Sequence, residues 1–171
     1  ILCAVRQGPW GVENFNALMR RKMRLEPAYA PGVPLMILVN HRGTGLSNGD
    51  LGLVWPDLTP GAHEGGVRVY FPDREHGYLT AELPDHETVF AMTVHKSQGS
   101  GFTEVLLVLP EHDQEILTRE LLYTGITRAE ERVELWAPLP VIEAALARKT
   151  VRQSGLADRL SGPESRRENS Q

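Results

Sequence analysis

Apolar residues recur along this chain in two rhythms, and the change from one to the other divides it. "ILCAVR" is an apolar run of strand type. In "VENFNALMRRKMRL", which follows it, Val12, Phe15, Leu18, Met19 and Met23 recur at spacings of three and four, the period of one helix face. Between Pro34 and Leu83 the helical period vanishes. "PLMILVN", "LGLVW", "VRVYF" and "GYLTAEL" are short runs parted by Gly, Asn, Asp and Pro, and "SNGD" at Ser47–Asp50 supplies residues that tolerate positive φ in a tight turn. After "PDHE" the longer rhythm returns: strand "TVFAMTV", strand "EVLLVLP", helix "DQEILTRELLYTGITRA", strand "RVELWAP" and helix "LPVIEAALARKTV".

Strands alternating with helices predict an α/β layer, a mainly parallel sheet covered by helices on both faces. The β-rich segment then reads as an insertion, a small β-barrel, entered through the Pro- and Gly-rich link "EPAYAPGVP". The expected organisation is an α/β unit made of residues 1–30 and 84–160, an inserted barrel over 31–83, and a tail over 161–171 with too little to bury to be ordered.

Length and composition narrow the class. The chain has 171 residues, enough for one domain carrying an insertion. Its longest apolar runs are too short to cross a bilayer, and the charged-then-apolar layout of a secretion signal is absent from its start, so no membrane partner is expected. The single cysteine, Cys3, lies in an apolar strand pattern, which excludes an internal disulfide and suits a reducing, cytoplasmic setting. A chain that opens at Ile1, directly in a strand, reads as a piece of something longer. The net charge of −4 excludes a broad basic surface for nucleic acid. Charge is uneven, with seven acids against three arginines over Glu111–Glu134 and six bases against three acids over Arg148–Gln171, so any nucleic-acid contact must come from a local site.

Two stretches stand out chemically. "TVHKSQGSGF", Thr93–Phe102, crowds hydrogen-bonding groups between two apolar runs. In open α/β sheets ligands bind beyond the carboxyl ends of strands, where backbone N–H groups are free. Gly99 allows close backbone approach, Ser97 and Gln98 bring donors and acceptors, and Lys96 brings a point charge suited to phosphate; a plain polar loop with a glycine turn accounts for the same residues. In "LLYTGITRAEERV" a helix ends close to Arg128, whose planar, permanently charged guanidinium can fork onto a phosphate; pairing with Glu130 or Glu131 is the simpler alternative.

Together the two are more specific. "AMTVHKSQGSGF" resembles motif V, and "LLYTGITRAEERV" motif VI, of superfamily 1 helicases, most closely those of the RecD type, the alpha chain of exodeoxyribonuclease V. "VRQGPWGVENFN", "GLSNGDLG", "LPDHETVFAMTVHKSQGS" and "RKTVRQSGLADRL" are similar to that family as well, so the likeness covers nearly all of residues 1–160. The resemblance implies a DNA-dependent ATPase that moves 5′ to 3′ along single-stranded DNA in double-strand break repair and recombination, using ATP and Mg²⁺ bound between two RecA-like lobes, with RecB- and RecC-type subunits as partners. This chain would be the second lobe, with an SH3-like barrel inserted, working against a missing N-terminal RecA-like lobe. By motif, Thr93, His95, Lys96 and Ser97 would face DNA, Gln98 and Gly99 would turn to the nucleotide, and Arg128 would reach the γ-phosphate as the catalytic finger; Arg6 also matches a family motif. The sequence departs from the pattern at Gly101, where the family usually has Glu, a residue that contacts the nucleotide ribose in related helicases. A different class of function, a non-catalytic module of a stand-alone RecD-like helicase that docks DNA or protein, remains the alternative.

Several features carry no site. A phosphate-binding loop needs Lys directly after Gly, but the three lysines, Lys22, Lys96 and Lys149, follow Arg21, His95 and Arg148, so the chain alone is expected not to hydrolyse ATP. "RGTGLSNG" reads as hairpin turns, and "VLLVLPEHD" only loosely suggests a magnesium-binding strand end. The six histidines lack helical i, i+4 pairing or a cysteine partner, so no metal site is expected. Trp55, Tyr70, Phe71 and Tyr78 could stack on bases but suit a small barrel core, and "RRKMR" suits a solvated helix face.

Overall fold

A computed structural model describes residues 1–148. The expected tail over 161–171 and the far end of the last predicted helix lie outside them. The elements are β1 (Leu2–Cys3), α1 (Val12–Lys22), β2 (Pro34–Ile37), β3 (Leu51–Pro56), β4 (Val67–Tyr70), a 3₁₀ turn (Thr80–Glu82), β5 (His86–Thr88), β6 (Met92–Thr93), β7 (Phe102–Val108), α2 (Arg119–Ile126), β8 (Ala129–Trp136) and α3 (Leu139–Ala147).

Four strands form a parallel sheet in the order β6-β1-β7-β8, with Leu2 beside both Met92 and Leu107, and Leu107 beside Leu135. Side chains alternate across a strand, so β1 and β7 each supply two cores. Leu2, Ala4, Val105, Leu107 and Leu109 pack on one face against Leu121 and Leu122 of α2 and Val141 and Ala145 of α3. Cys3 and Val108 point the other way, against Val12 and Phe15 of α1. Helices therefore cover both faces of an α/β unit. Burial pushes the Cys3 thiol up to about 11, which keeps it protonated, as befits a small core side chain.

The inserted segment is a four-stranded antiparallel sheet in the order β4-β3-β2-β5, built over Val33, Leu35, Ile37, Leu46, Val54, Val69 and Phe71. Strand β3 passes close over this core at Gly52, where a Cβ would come within 2.7 Å of the Phe71 ring. In this order β4 and β5 are the edges, so hydrogen bonding does not close the barrel expected for 31–83.

Two elements differ from their sequence expectation. The run "TVFAMTV" is not one strand. His86–Thr88 pairs antiparallel with β2, whereas Met92–Thr93 pairs parallel with β1, and only Val89–Ala91 lie between. The other is the helix expected from Asp113, which starts at Arg119. The Thr118 side chain caps it by accepting from the Leu121 N–H, and the Arg148 guanidinium holds the preceding segment open by donating to the Gln114 and Leu117 carbonyls, each at 2.7 Å.

Asp57, at the end of β3, accepts hydrogen bonds from Thr59 and from Arg68 Nε at 2.8 Å, and these hold its carboxyl down at about 2. A carboxyl lowered on folding contributes stability that is full above its unfolded value, near 3.8, and is lost as pH falls through about 2. Acid unfolding followed between these limits is expected to show a limb that Asp57→Asn flattens; an unchanged limb would exclude this carboxylate as its source.

Candidate functional site

Strands β1 and β6 are parallel neighbours, so the loops that follow them, Ala4–Gly11 and Val94–Gly101, leave the same carboxyl edge of the sheet. That edge is where open α/β sheets bind ligands. The second loop coils tightly. Ser97 N–H donates to the Thr93 carbonyl at 3.2 Å, Gln98 N–H to His95 at 3.3 Å and Ser100 N–H to Ser97 at 3.0 Å. Gly99 then turns the chain with φ +88°, a left-handed conformation that costs little without a Cβ.

This winding decides which candidates reach solvent. His95, Gln98 and Gly99 are exposed, and Thr93 and Lys96 are half-buried. Ser97 differs from the expectation. Its side chain is 0% exposed and its hydroxyl donates to the Val94 carbonyl at 2.7 Å, so it fixes the loop from inside and offers DNA no side chain. Lys96 Nζ donates to Glu87 Oε1 at 2.6 Å, across from β5.

The loop runs down to the amino end of β7 and meets Arg128 there. The Phe102 N–H donates to the Arg128 carbonyl at 2.9 Å. The Arg128 side chain reaches back, Nη1 donating to the Ser100 carbonyl at 3.1 Å and Nε to the Thr124 carbonyl at 3.2 Å, with a longer contact from Nη2 to the Thr127 hydroxyl. Among the described residues Arg128 makes no ion pair, and the simpler partner, Glu130, turns elsewhere: its Oε1 lies 2.7 Å from where a Cβ on Gly101 would stand. The guanidinium is thus half-buried, steadied by neutral carbonyls, and has donors to spare. Thr124 joins the two constellations. It lines, with His95, Gln98, Thr118 and Leu121, an open cavity of about 370 Å³ between the loop and α2.

The chain's donors fit one side of a polyphosphate and no more. Arg128 can fork onto phosphate oxygens, yet no glycine-lysine loop exists to wrap them. Asp113 is engaged by Arg148 at 2.6 Å, which holds its carboxyl below the usual range, and no three His, Cys, Asp or Glu side chains among the described residues gather to hold a cation.

Two further residues position the site, and one of them carries a signal in the sequence. Asn16 sits at a helix position, between Phe15 and Met19, that the apolar stripe should fill. Its amide pairs with both backbone groups of Ala91, donating to the carbonyl at 3.0 Å and accepting from the N–H at 2.9 Å, just before β6. A polar residue in a core stripe marks a buried polar partner. Glu87, the anchor of Lys96, had no such signal. Asn16→Ala leaves both groups of the 2%-exposed Ala91 unpaired and is expected to cost about 2 kcal/mol, read as a lower urea midpoint with unchanged slope; an unshifted midpoint would contradict the pairing.

A profile of the UvrD-like helicase C-terminal domain matches residues 88–135, the span that holds both constellations. The chain is 40% identical over 166 residues to the RecBCD enzyme subunit RecD of Mycolicibacterium smegmatis, covering 94% of this chain and 29% of that protein. It is 39% identical over 167 residues to the RecBCD enzyme subunit RecD of Haemophilus influenzae, covering 93% of this chain and 24% of that one. It therefore spans under a third of the length of the curated relatives it matches. In solved structures the fold is similar to a Bacteroides Pif1 helicase crystallised with ADP-AlF3 and ssDNA, at a TM-score of 0.53 and 15% identity over 96% of this chain and 45% of that one. A second Pif1 structure, of two helicases at forked dsDNA, gives 0.52 at 18% identity over 94% of this chain and 42% of that one. At such identity the likeness speaks for the fold, a RecA-like α/β lobe.

Proposed function

This chain belongs to the RecD family, and we propose that it forms the second motor lobe of an ATP-dependent DNA helicase, the alpha subunit of an exodeoxyribonuclease V, moving 5′ to 3′ on single-stranded DNA during break repair and recombination. RecB- and RecC-type subunits are the partners this implies. The observation that carries the proposal is Arg128: a half-buried cation that pairs with no carboxylate among the described residues, braced on the backbone of the very loop that bears Lys96 and Gln98. A guanidinium so placed suits charge that arrives with a ligand, because two carbonyls orient it without neutralising it.

Each part of the chain then has a task. Thr93, His95 and Lys96 bear on the DNA strand at the carboxyl edge, and Ser97 keeps their loop rigid from within. Gln98 and Gly99 line the path towards the nucleotide. Arg128 closes on the terminal phosphate from across the gap, completing a site whose phosphate loop and magnesium ligands belong to another lobe. ATP, when bound there, supplies the free energy and the charge that draws Arg128 in. Because the Ser100 carbonyl accepts from Arg128 while Lys96 lies four residues earlier in the same coil, movement of the guanidinium reaches the DNA-facing residues through one short segment. The inserted sheet, as an SH3-like module, is free to meet a partner or the fork.

The test uses full-length Lys96→Ala and oligo(dT) at a series of salt concentrations. Affinity is expected to fall several-fold, and the slope of log K against log salt to lose about 0.7 to 1. An unaltered slope would remove Lys96 from the DNA path.

A further inference from the structure

Arg6, in a loop that leaves the carboxyl edge, has no task in the scheme above. It stands in the loop after β1, beside the loop after β6 that carries Lys96, because β1 and β6 are parallel neighbours. Both cations face the same carboxylate. Lys96 Nζ lies 2.6 Å from Glu87 Oε1, and Arg6 Nη2 lies 3.9 Å from Glu87 Oε2. Arg6 is otherwise held by Glu13, through Nε at 3.1 Å.

The two contacts are unequal. The first is a charge-assisted hydrogen bond between partly buried groups; the second is too long to be a hydrogen bond at all. A planar carboxylate anchored on β5 thus satisfies Lys96 and only attracts Arg6. Its backbone is held by the antiparallel register of Glu87 with Met36 in the inserted sheet, and in this arrangement it hydrogen-bonds Lys96 alone of the two. A tetrahedral phosphate entering from solvent has oxygens in more directions and no such tether. Arg6 is well placed to receive it, with 59% of its side chain exposed, and the Glu87 carboxylate, at 25%, lies deeper.

We propose that Arg6 and Lys96 together form a subsite for one backbone phosphate of the DNA strand, and that Glu87 is the internal anion which fills it in the free chain. The subsite rests on the DNA reading proposed above and refines it, by adding Arg6 as a phosphate ligand and Glu87 as the competitor that DNA must displace. Displacement breaks the ion pair that ties the inserted sheet, through β5, to the loop of the motor lobe. Strand binding therefore loosens one link between the two sheets.

Full-length wild type, Glu87→Gln and Arg6→Gln are to be compared by fluorescence anisotropy with labelled oligo(dT) across a salt series. Glu87→Gln keeps the side-chain shape and removes the competing charge, and is expected to tighten binding about three- to five-fold, within the range of a partly exposed ion pair. Arg6→Gln is expected to weaken binding several-fold, to lower the salt slope by about 0.7 to 1, and to blunt the gain from Glu87→Gln when the two are combined. A structural role for Glu87 would weaken binding on substitution and leave the slope of Arg6→Gln at the wild-type value. If wild type binds oligo(dT) but Glu87→Gln binds no tighter, or Arg6→Gln keeps the wild-type slope, the subsite is wrong and the DNA reading stands. If wild type does not bind oligo(dT) at any salt, both fall.

Discussion

Replacing Arg128 by alanine in the full-length protein is expected to lower DNA-stimulated ATP hydrolysis about a thousand-fold or more, the range over which an arginine placed on a transferring phosphoryl group acts. The expectation follows from how the residue is held. Nε and Nη1 bind backbone carbonyls of Thr124 and Ser100, so the guanidinium is oriented before any nucleotide arrives. A preoriented charge needs little reorganisation as the reaction proceeds, and that is where its effect on rate arises. Lysine should recover little, because a single ammonium cannot fork between two carbonyls and a phosphate together. Oligo(dT) affinity should change only a few-fold, since His95 and Lys96 are wound by their own hydrogen bonds upstream of Ser100. Near-wild-type hydrolysis by Arg128→Ala would refute the finger role outright.

Leu107→Ala is expected to be the most damaging single truncation in the core, costing about 2 to 5 kcal/mol and lowering Tm by roughly 5–15 °C. Leu107 is 0% exposed on the central strand β7, flanked by Leu2 and Leu135. Its two methyl groups lie 3.0 Å from where a Cβ on Gly125 would be, so α2 rests on Leu107 at a residue that has no side chain. Removing the methyls leaves a hole beneath the helix one turn before Arg128. Hydrolysis should therefore fall further than the folded fraction does, because the guanidinium loses its footing. A variant that melts at the wild-type temperature would contradict this account of the core.

Much of the α/β unit can be read from alternation alone. Leu2 and Ala4 against Cys3, and Val105 and Leu107 against Val108, announce a sheet covered on both faces, and the i, i+3, i+4 stripe of α1 announces one of its covers. The split of 86–93 between two sheets is illegible for a physical reason: an apolar run with period two looks the same whichever sheet it joins, and only partner strands distant in sequence decide. The late start of α2 depends likewise on Arg148, about thirty residues away, which binds the carbonyls that a longer helix would need. In the site, residue type pointed to Lys96, Gln98 and Arg128, but not to the direction of a side chain. Ser97 and Gln98 are adjacent and both polar; one turns inward because the Val94 carbonyl needs a donor in the dry side of the coil, and the other turns out. Arg128 could have paired with Glu130 on sequence grounds. That Glu130 faces Gly101 is a matter of register between β7 and β8, where Phe102 stands beside Ala129.

The motif V loop and Arg128 are proposed to form one wall of a nucleotide site completed by another lobe. The distance from the Arg128 guanidinium to the terminal phosphoryl mimic, in the full-length protein bound to ADP, aluminium fluoride and oligo(dT), tests it most directly. Hydrogen-bond contact is expected, at about 3 Å. A guanidinium still bonded only to Ser100 and Thr124, with the nucleotide bound out of its reach, would contradict it.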